Sequence, residues 1–299
     1  VDDLQVFGVS SLGQAVALVA GSEEQQPVPP SKPKLLEERS AKVDFSEVCG
    51  QPEARRAAEV AAAGGHNLML IGSPGSGKTT IARRLSTILP PPTMEEAIET
   101  TMVHSVAGLL NGQALVAERP FRAPHHTCSS GGLVGGGTIP RPGEVSLAHN
   151  GVLFLDEFPE FKRASLEALR QPLEDDHVTI VRTQQAVTFP ARFMLVAAMN
   201  PCPCGHFGDG QDRCRCSPLE IRRYLAKLSG PLLDRFDMTV EVPAVSLEDL
   251  AGRRSGEPSS TVRERVCGAR AVQEIRFGPS GSTCNAGMTP ADLEEHAVL

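Results

Sequence analysis

The sequence predicts an α/β fold in which helices flank a parallel sheet. Three short apolar runs have the composition of buried strands, and each is followed by polar and helical segments. The runs are NLMLIG (67–72), GVLFLDE (151–157) and RFMLVAAMN (192–200). Strands that alternate with helices are typical of parallel sheets covered by helices on their faces.

Composition limits the class of protein. The chain has 299 residues, 40% of them apolar and 28 of them Gly, which is typical of globular proteins and argues against wholesale disorder. A net charge of −7 excludes a globally basic nucleic-acid binder, although it leaves room for a local basic channel. The longest uncharged run, 123–140, is rich in Gly, Ser, His and Pro, so we predict a soluble protein with no membrane span. Eight Cys without a signal peptide favour the cytoplasm.

The pattern along the chain suggests four regions. Residues 1–21 are expected to be the tail of a preceding domain, and residues 22–42 form a polar, Pro-rich linker. Residues 43–245 carry the α/β core. Residues 246–299 are expected to begin a helical domain that the chain truncates, with Thr289 as an N-cap and Pro290 as the first helical residue. We interpret the chain as a fragment of a longer protein.

A phosphate-binding motif follows the first predicted strand. The run GSPGSGKT matches G-x-x-x-x-G-K-[ST] and lies between a strand and a helix, where main-chain amides can cradle phosphates. Lys78 would reach the β- and γ-phosphates of ATP, and Thr79 would ligate Mg²⁺. A plain glycine turn with a solvated lysine is the alternative, which this context disfavours. The predicted nucleotide-binding residues are Gly72, Ser73, Pro74, Gly75, Ser76, Gly77, Lys78, Thr79 and Thr80.

Polar residues also end the other two predicted strands. Asp156 would hold Mg²⁺, and Glu157 could take a proton from an attacking water; alternatively, both would cap the next helix. Asn200 could orient that water or touch the γ-phosphate, although Asn is common in turns. Because parallel strands end at one edge of a sheet, we expect these side chains to converge.

Two further features have competing interpretations. Arg235, between a helical stretch and the strand-like MTVEVP, is either a surface residue or, in a ring, an arginine finger for a neighbouring subunit. Four cysteines in two C-x-C pairs suggest tetrahedral Zn²⁺, with free thiols as the alternative and His206 as a possible substitute ligand. These cysteines are Cys202, Cys204, Cys214 and Cys216.

Local charge favours contact with DNA. Residues 119–143 contain Arg and His but no acid, and residues 202–227 carry a net charge of +2, so both are basic islands in an acidic chain. A solvated face or an acidic protein partner would explain them equally well. With no Trp and one Tyr, DNA contacts should be to the backbone. Residues 177–193 read as a hairpin that could line a pore with Arg182 or simply form a sheet edge.

Taken in order, these segments resemble the AAA+ ATPases of the helix-2-insert branch, and within it the magnesium-chelatase-like proteins of the ComM/YifB group. The resemblance rests on AAGGHNLMLIGSPGSGKT, RPFRAPHHTCSSGGLVGGG, PRPGEVSLAHNGVLFLDEFPEF, AAMNPCPCG and SGPLLDRFD. It implies an AAA+ P-loop core followed by a helical lid, and a hexameric ring. It also implies Walker B roles for Asp156 and Glu157, a sensor 1 role for Asn200 and a finger role for Arg235.

The family offers two functions. One is a motor that translocates on DNA and migrates branches during natural transformation and recombination. The other is the ATPase subunit that inserts magnesium into porphyrin through a protein partner. The Cys-rich loop after Asn200 and the Pro-rich linker favour the DNA motor. A scaffold that binds nucleotide without hydrolysing it is the third possibility, because no sensor 2 arginine can be assigned before Leu299.

Overall fold

In a computed structural model, the described residues are 7–22, 26–27, 43–110, 112–182, 185–210, 212–244, 256–278 and 284–297. The chain divides into two compact units, Val1–Glu37 and Glu38–Leu299. The first unit contains helix α1 (Leu12–Val19), which Ser11 caps by accepting a hydrogen bond from the Gln14 amide. The linker predicted for 22–42 lies mostly outside the described residues, as does the boundary predicted at 245–246.

The second unit is built on a five-stranded parallel sheet in the order β2-β5-β8-β1-β9, which confirms the predicted α/β fold. Its strands are β1 (Leu68–Ile71), β2 (Phe121–Arg122), β5 (Val152–Leu155), β8 (Met194–Met199) and β9 (Met238–Glu241). Two antiparallel hairpins stand beside this sheet: β3 (Gly135–Gly136) with β4 (Arg141–Pro142), and β6 (His177–Arg182) with β7 (Gln185–Pro190).

Helices surround the sheet. They are α2 (Pro52–Gly64), α3 (Lys78–Ile88), α4 (Met94–Val106), α5 (Ser130–Val134), α6 (Glu144–Leu147), α7 (Arg163–Glu167), α8 (Arg170–Asp175), α9 (Pro218–Leu225), α10 (Gly230–Leu233), α11 (Ser259–Phe277) and α12 (Pro290–His296). Single 3-10 turns span Phe45–Glu47, Phe158–Glu160 and Asn285–Gly287. Thr289 caps α12 and Pro290 opens it, as the sequence predicts.

The central strands are buried on both faces, which explains why they read as continuous apolar runs. On one face, Leu68 and Leu70 pack with α2, α3 and the start of α11. On the other face, Met69 joins a second cluster that includes Leu153 and Leu155. Successive side chains of a strand point to opposite faces, so each strand contributes to both clusters.

Both hairpins touch each other at β3. A Cβ atom added to Gly135 would lie 2.8 Å from Cδ1 of Ile180 on β6.

Within the described residues, no helix is both long enough and apolar enough to cross a membrane.

Candidate functional site

The phosphate-binding loop connects β1 to α3 at the carboxyl edge of the sheet. Gly75 and Gly77 adopt φ values of +77° and +91°, which glycine reaches without steric cost. Gly72 allows a close approach, because a Cβ there would lie 2.1 Å from the Val242 carbonyl oxygen. The buried Ser73 and Ser76 form the loop's inner side, Pro74 is exposed at its tip, and Thr79 and Thr80 open α3.

Lys78 lies 8% exposed beneath this loop. Its Nζ donates to the carbonyl oxygens of Gly72 and Ser73 at 2.7 and 2.9 Å, and to Oδ1 of Asn200 at 3.2 Å. Burial lowers the pKa of Lys78, while the Asp156 carboxylate opposes that shift. The ammonium group therefore occupies a fixed position next to the polar end of β8.

Asp156 lies at the carboxyl end of β5 and faces the start of α3. The Thr79 hydroxyl donates to its Oδ2 at 2.7 Å. A hydroxyl and a carboxylate at this separation form a pair of oxygen ligands suited to Mg²⁺. Since β5, β8 and β1 are neighbours in the sheet, the structure brings Lys78, Thr79, Asp156 and Asn200 to one crevice.

Glu157 follows at the rim of the crevice, with its backbone in the left-handed region at φ +53°. Its amide donates to Oδ1 of Asp156 at 2.9 Å, and its side chain is 58% exposed. Nδ1 of His126 lies 2.8 Å from Oε2 of Glu157. The carboxylate is thus accessible to solvent but is contacted by an imidazole.

Arg235 lies at the opposite edge of the sheet. Arg235 precedes β9, and its carbonyl oxygen accepts a hydrogen bond from Nδ2 of Asn67, the residue before β1. Its guanidinium pairs with Glu174 of α8, and its side chain is 40% exposed. Within this chain, Arg235 and the phosphate-binding loop are therefore separated by the length of the strands.

The four predicted zinc ligands lie together in the connection from β8 to α9. Their sulfur atoms all lie within 4.8 Å of one another. Separations of 3.4, 3.8 and 3.7 Å join Cys202 to Cys204, Cys202 to Cys214 and Cys204 to Cys214. Four sulfurs bonded tetrahedrally to zinc lie about 3.8 Å apart, so the cluster has the required dimensions.

Main-chain groups support this cluster. The amide of His206 is the main reason that the pKa of Cys204 is lowered to about 6, and a deprotonated thiol is the form that binds metal. The His206 side chain instead contacts Asp209, with Nδ1 3.2 Å from Oδ2. Among the His, Cys, Asp and Glu side chains of the described residues, the four cysteines are the one group of three or more that could hold a single metal ion.

Some arginines of the two basic islands are paired with acidic side chains, and others are exposed. In 119–143, Arg119 pairs with Glu96 at 2.8 Å and Arg122 with Glu144 at 2.6 Å, so acids from α4 and α6 neutralise them. Arg141 is exposed. In 202–227, Arg222 and Arg223 are exposed on the last turn of α9. The hairpin predicted at 177–193 is present as β6 and β7, whereas the side chain of Arg182 lies outside the described residues.

Comparison with known proteins identifies the family. The family model "Magnesium chelatase, subunit ChlI" matches residues 44–250. The chain belongs to this family. Within the magnesium chelatase family it is similar to competence protein ComM of Haemophilus influenzae, with 51% identity covering 86% of this chain and 50% of ComM. It is also similar to uncharacterized protein YifB of Salmonella typhimurium, with 47% identity covering 87% of this chain and 50% of YifB.

These relatives support the predicted ComM/YifB group. The chain spans about half the length of the curated relatives it matches. A weaker similarity, 26% identity over 58% of this chain and 18% of the relative, links it to DNA replication licensing factor mcm-6 of Caenorhabditis briggsae. The magnesium chelatase family is of the AAA+ type, which agrees with the parallel sheet and the phosphate-binding loop of this chain.

Two residues whose contacts the sequence does not predict lie at the site. Gln51 has φ +53°, and its Nε2 donates to the carbonyl oxygens of Ser76 and Pro243, the latter at 2.8 Å. His126, described above, contacts Glu157. Gln51 lies far from the loop in sequence, and nothing in its local pattern distinguishes it. His126 belongs to the basic island at 119–143, and its contact with Glu157 joins two segments that are distant in the sequence.

Proposed function

We propose that this chain is the catalytic core of a ring-forming AAA+ ATPase that hydrolyses ATP with Mg²⁺. The observation that carries the proposal is the hydrogen-bonded convergence of Lys78, Thr79, Asp156 and Asn200 on one crevice beneath a glycine-rich loop. A buried ammonium, a hydroxyl–carboxylate pair and a polar amide are the groups that phosphoryl transfer requires.

Each residue has a distinct proposed role. The loop amides and Lys78 bind the phosphates, and Thr79 and Asp156 would hold the magnesium ion, which neutralises phosphate charge when bound. Asn200 orients the attacking water, and Glu157, exposed at the rim, accepts its proton. Arg235, remote from its own crevice, serves the crevice of a neighbouring copy, and a hexamer is the assembly we propose.

DNA is the proposed substrate of the motor. Two relatives carry names linked to DNA or competence: competence protein ComM and a DNA replication licensing factor. The exposed Arg141, Arg222 and Arg223 supply cations for phosphate contacts. We propose that a cytoplasmic ring of this protein moves along single-stranded or branched DNA, gripping its backbone, as a branch-migration helicase in transformation and recombination.

The description of the family model favours a second candidate function. A magnesium chelatase subunit would apply the same ATPase to a protein partner instead of DNA. Such a motor would hydrolyse ATP without responding to DNA.

We further propose that the four cysteines hold one zinc ion. The sulfur separations support this assignment. A metal there would fix the connection between β8, which ends at Asn200, and α9, which carries the exposed arginines, so its proposed role is structural.

Steady-state ATP hydrolysis by the full-length protein tests the motor. We expect Lys78→Ala to lose nucleotide binding, and Glu157→Gln to bind ATP but to lose about a hundredfold or more in kcat. Single-stranded DNA or a branched three-strand DNA should stimulate the wild type, and the stimulation should fall with salt.

Each other outcome has a definite meaning. Hydrolysis that DNA leaves unchanged would favour the partner-remodelling motor. Nucleotide-dependent assembly without hydrolysis would favour a scaffold. Normal hydrolysis by both variants would show that the crevice is not the active site.

A further inference from the structure

Gln51 links three segments of the crevice through one side-chain amide. It is buried, and its Nε2 donates both to the carbonyl oxygen of Ser76 in the phosphate-binding loop and to that of Pro243 after β9, the latter at 2.8 Å. A primary amide carries two N–H donors on one nitrogen, so it can satisfy two carbonyl groups at once. Because both neighbours are acceptors, the nitrogen of this amide, and not its oxygen, faces them.

The main chain at both ends of this bridge is fixed. Gln51 precedes α2, and its carbonyl oxygen accepts a hydrogen bond from the Arg55 amide at 3.1 Å, which starts that helix. α2 packs against α3 and α11 through small buried side chains. Pro243 is held because the amide of Val242 donates to the carbonyl oxygen of Ile71, at the end of β1, at 2.7 Å. The amide of Gln51 therefore holds the loop from a fixed place.

The backbone of Gln51 lies in the left-handed region, with φ +53° and ψ +56°. Glycine adopts this conformation without steric cost, whereas glutamine does so at a cost in free energy that other contacts must offset. The two side-chain hydrogen bonds are contacts of that kind, and a glycine at this position would lack them.

The carbonyl group of Ser76 belongs to the same peptide unit as the amide of Gly77. A trans peptide unit is planar, so its C=O and N–H point in opposite directions, and holding the carbonyl fixes the direction of the Gly77 N–H. Gly77 is the N-cap of α3 and has φ +91°, so its own conformation restricts this unit little. Amides at a helix N-terminus bind phosphate, and the direction of this N–H therefore matters for phosphate affinity.

We propose that Gln51 is a positioning residue for phosphate binding: by joining the Ser76 carbonyl to the Pro243 carbonyl, its amide keeps the Gly77 N–H directed at the phosphates of ATP. The inference rests on the proposed ATPase function, in which this loop binds ATP. Among the hydrogen bonds of the described residues, those of the Gln51 side chain go to main-chain carbonyl oxygens. Its loss should weaken ATP binding and leave the chemical step intact.

Two variants remove the donors and keep the length of the side chain. Gln51→Glu places negative oxygens against two carbonyl groups, and Gln51→Met has neither donor nor charge. In the full-length protein, we expect both to raise the Kd for ATP about tenfold or more, with kcat at saturating ATP within about threefold of wild type. The larger rise should be that of Gln51→Glu, because its carboxylate repels the carbonyl oxygens.

Inorganic tripolyphosphate separates this role from a contact with the base of the nucleotide, because it consists of phosphates alone. Its affinity is measured by competition with a fluorescent ATP analogue. We expect Gln51→Met to weaken the binding of tripolyphosphate and of ATP by similar factors. A loss confined to ATP would overturn the inference, since it would place Gln51 at the base.

Gln273→Met is the matched control. Gln273 is also buried, and its Nε2 also donates to two carbonyl oxygens, those of Ala63 and Ala269 at 3.0 and 3.1 Å. Ala63 lies at the other end of α2 from Gln51, so this variant should lose thermal stability and keep its ATP affinity. An equal loss of ATP affinity in Gln51→Met and Gln273→Met would show a general effect of destabilisation and overturn the inference.

Gln51→Gly tests the same point if Gln51→Met does not fold, because it removes the side chain together with the left-handed strain, and it should bind ATP as weakly. Wild-type ATP affinity in a folded Gln51 variant overturns the inference. If Lys78→Ala loses ATP binding while Gln51→Met retains it, only the role of Gln51 fails. If Lys78→Ala also binds ATP as the wild type does, the proposed nucleotide site itself fails.

Discussion

Gly205 brings the cysteine loop into contact with the phosphate-binding loop. Its φ is +84°, and a Cβ there would lie 2.5 Å from Cδ of Pro74 and 3.7 Å from Cγ of Asn200. Gly208, three residues later in the same loop, has φ +77° but open space around it. An alanine would therefore be strained at either position but would meet a neighbour only at Gly205, which allows the two effects to be measured separately.

We expect Gly205→Ala to weaken ATP binding, because the added methyl group must push Pro74 and move the phosphate-binding loop. Gly208→Ala should cost only the left-handed strain, about 1–2 kcal/mol, and leave ATP affinity unchanged. Titration with a fluorescent ATP analogue, together with thermal unfolding of both variants, checks this. Equal ATP affinities in the two variants would show that the contact with Pro74 does not affect ATP binding.

At the scale of single residues, the sequence predicts the groups whose chemistry is tied to a local pattern. Lys78 and Thr79 follow from the glycine spacing, and Asp156 and Asn200 from their places after apolar runs. Gln51 and His126 could not be predicted in this way. Their contacts join segments that are distant in the chain, and only the folded arrangement of the residue before α2 and of the segment after β2 brings them to the site.

At the scale of elements, apolar runs predicted the three central strands because these strands are buried on both faces. β2 was not predicted, since it has only two residues, both half-buried at the sheet edge. The free positive charge of the basic island at 119–143 is smaller than its sequence suggests, for a related reason. Two of its arginines are paired with acids outside the island: Glu96 lies on α4, and Glu144 is the residue directly after the island.

The cysteine loop is an element whose order is expected to depend on metal. With few apolar residues between Cys202 and Cys216, the loop has little core of its own, and a zinc ion would supply the cross-link. Metal analysis of purified protein should give one zinc per chain. Replacing Cys214 and Cys216 together by Ser should reduce this well below one and increase proteolysis between β8 and α9.

Cys49→Ser is the control for the loss of a thiol, since Cys49 lies outside the cluster, and it should retain the zinc. Four titratable thiols in the cluster of the wild-type protein, with zinc well under one equivalent, would contradict the assignment.

At the scale of the whole molecule, the parallel sheet separates the two parts of the proposed active site. The phosphate-binding loop follows the carboxyl end of β1, whereas Arg235 precedes the amino end of the neighbouring β9. A four-residue strand spans about 13 Å, so a single chain presents its crevice at one edge and its arginine at the other. A head-to-tail ring would bring the arginine of one copy to the crevice of the next.

Mixing two inactive variants tests this arrangement. Arg235→Ala subunits keep Glu157, and Glu157→Gln subunits keep Arg235, so a mixed ring contains interfaces where both groups are intact. We expect each variant alone to be nearly inactive and mixtures to recover hydrolysis, with a maximum near equal proportions, because each active site needs one residue from each of two subunits. Arg235→Lys is the matched variant: alone it should also be nearly inactive, since a lysine lacks the planar fork, and Glu157→Gln subunits should complement it as well as they complement Arg235→Ala, because they supply the arginine of the intact interface. Mixtures no more active than the separate variants would place Arg235 outside the active site.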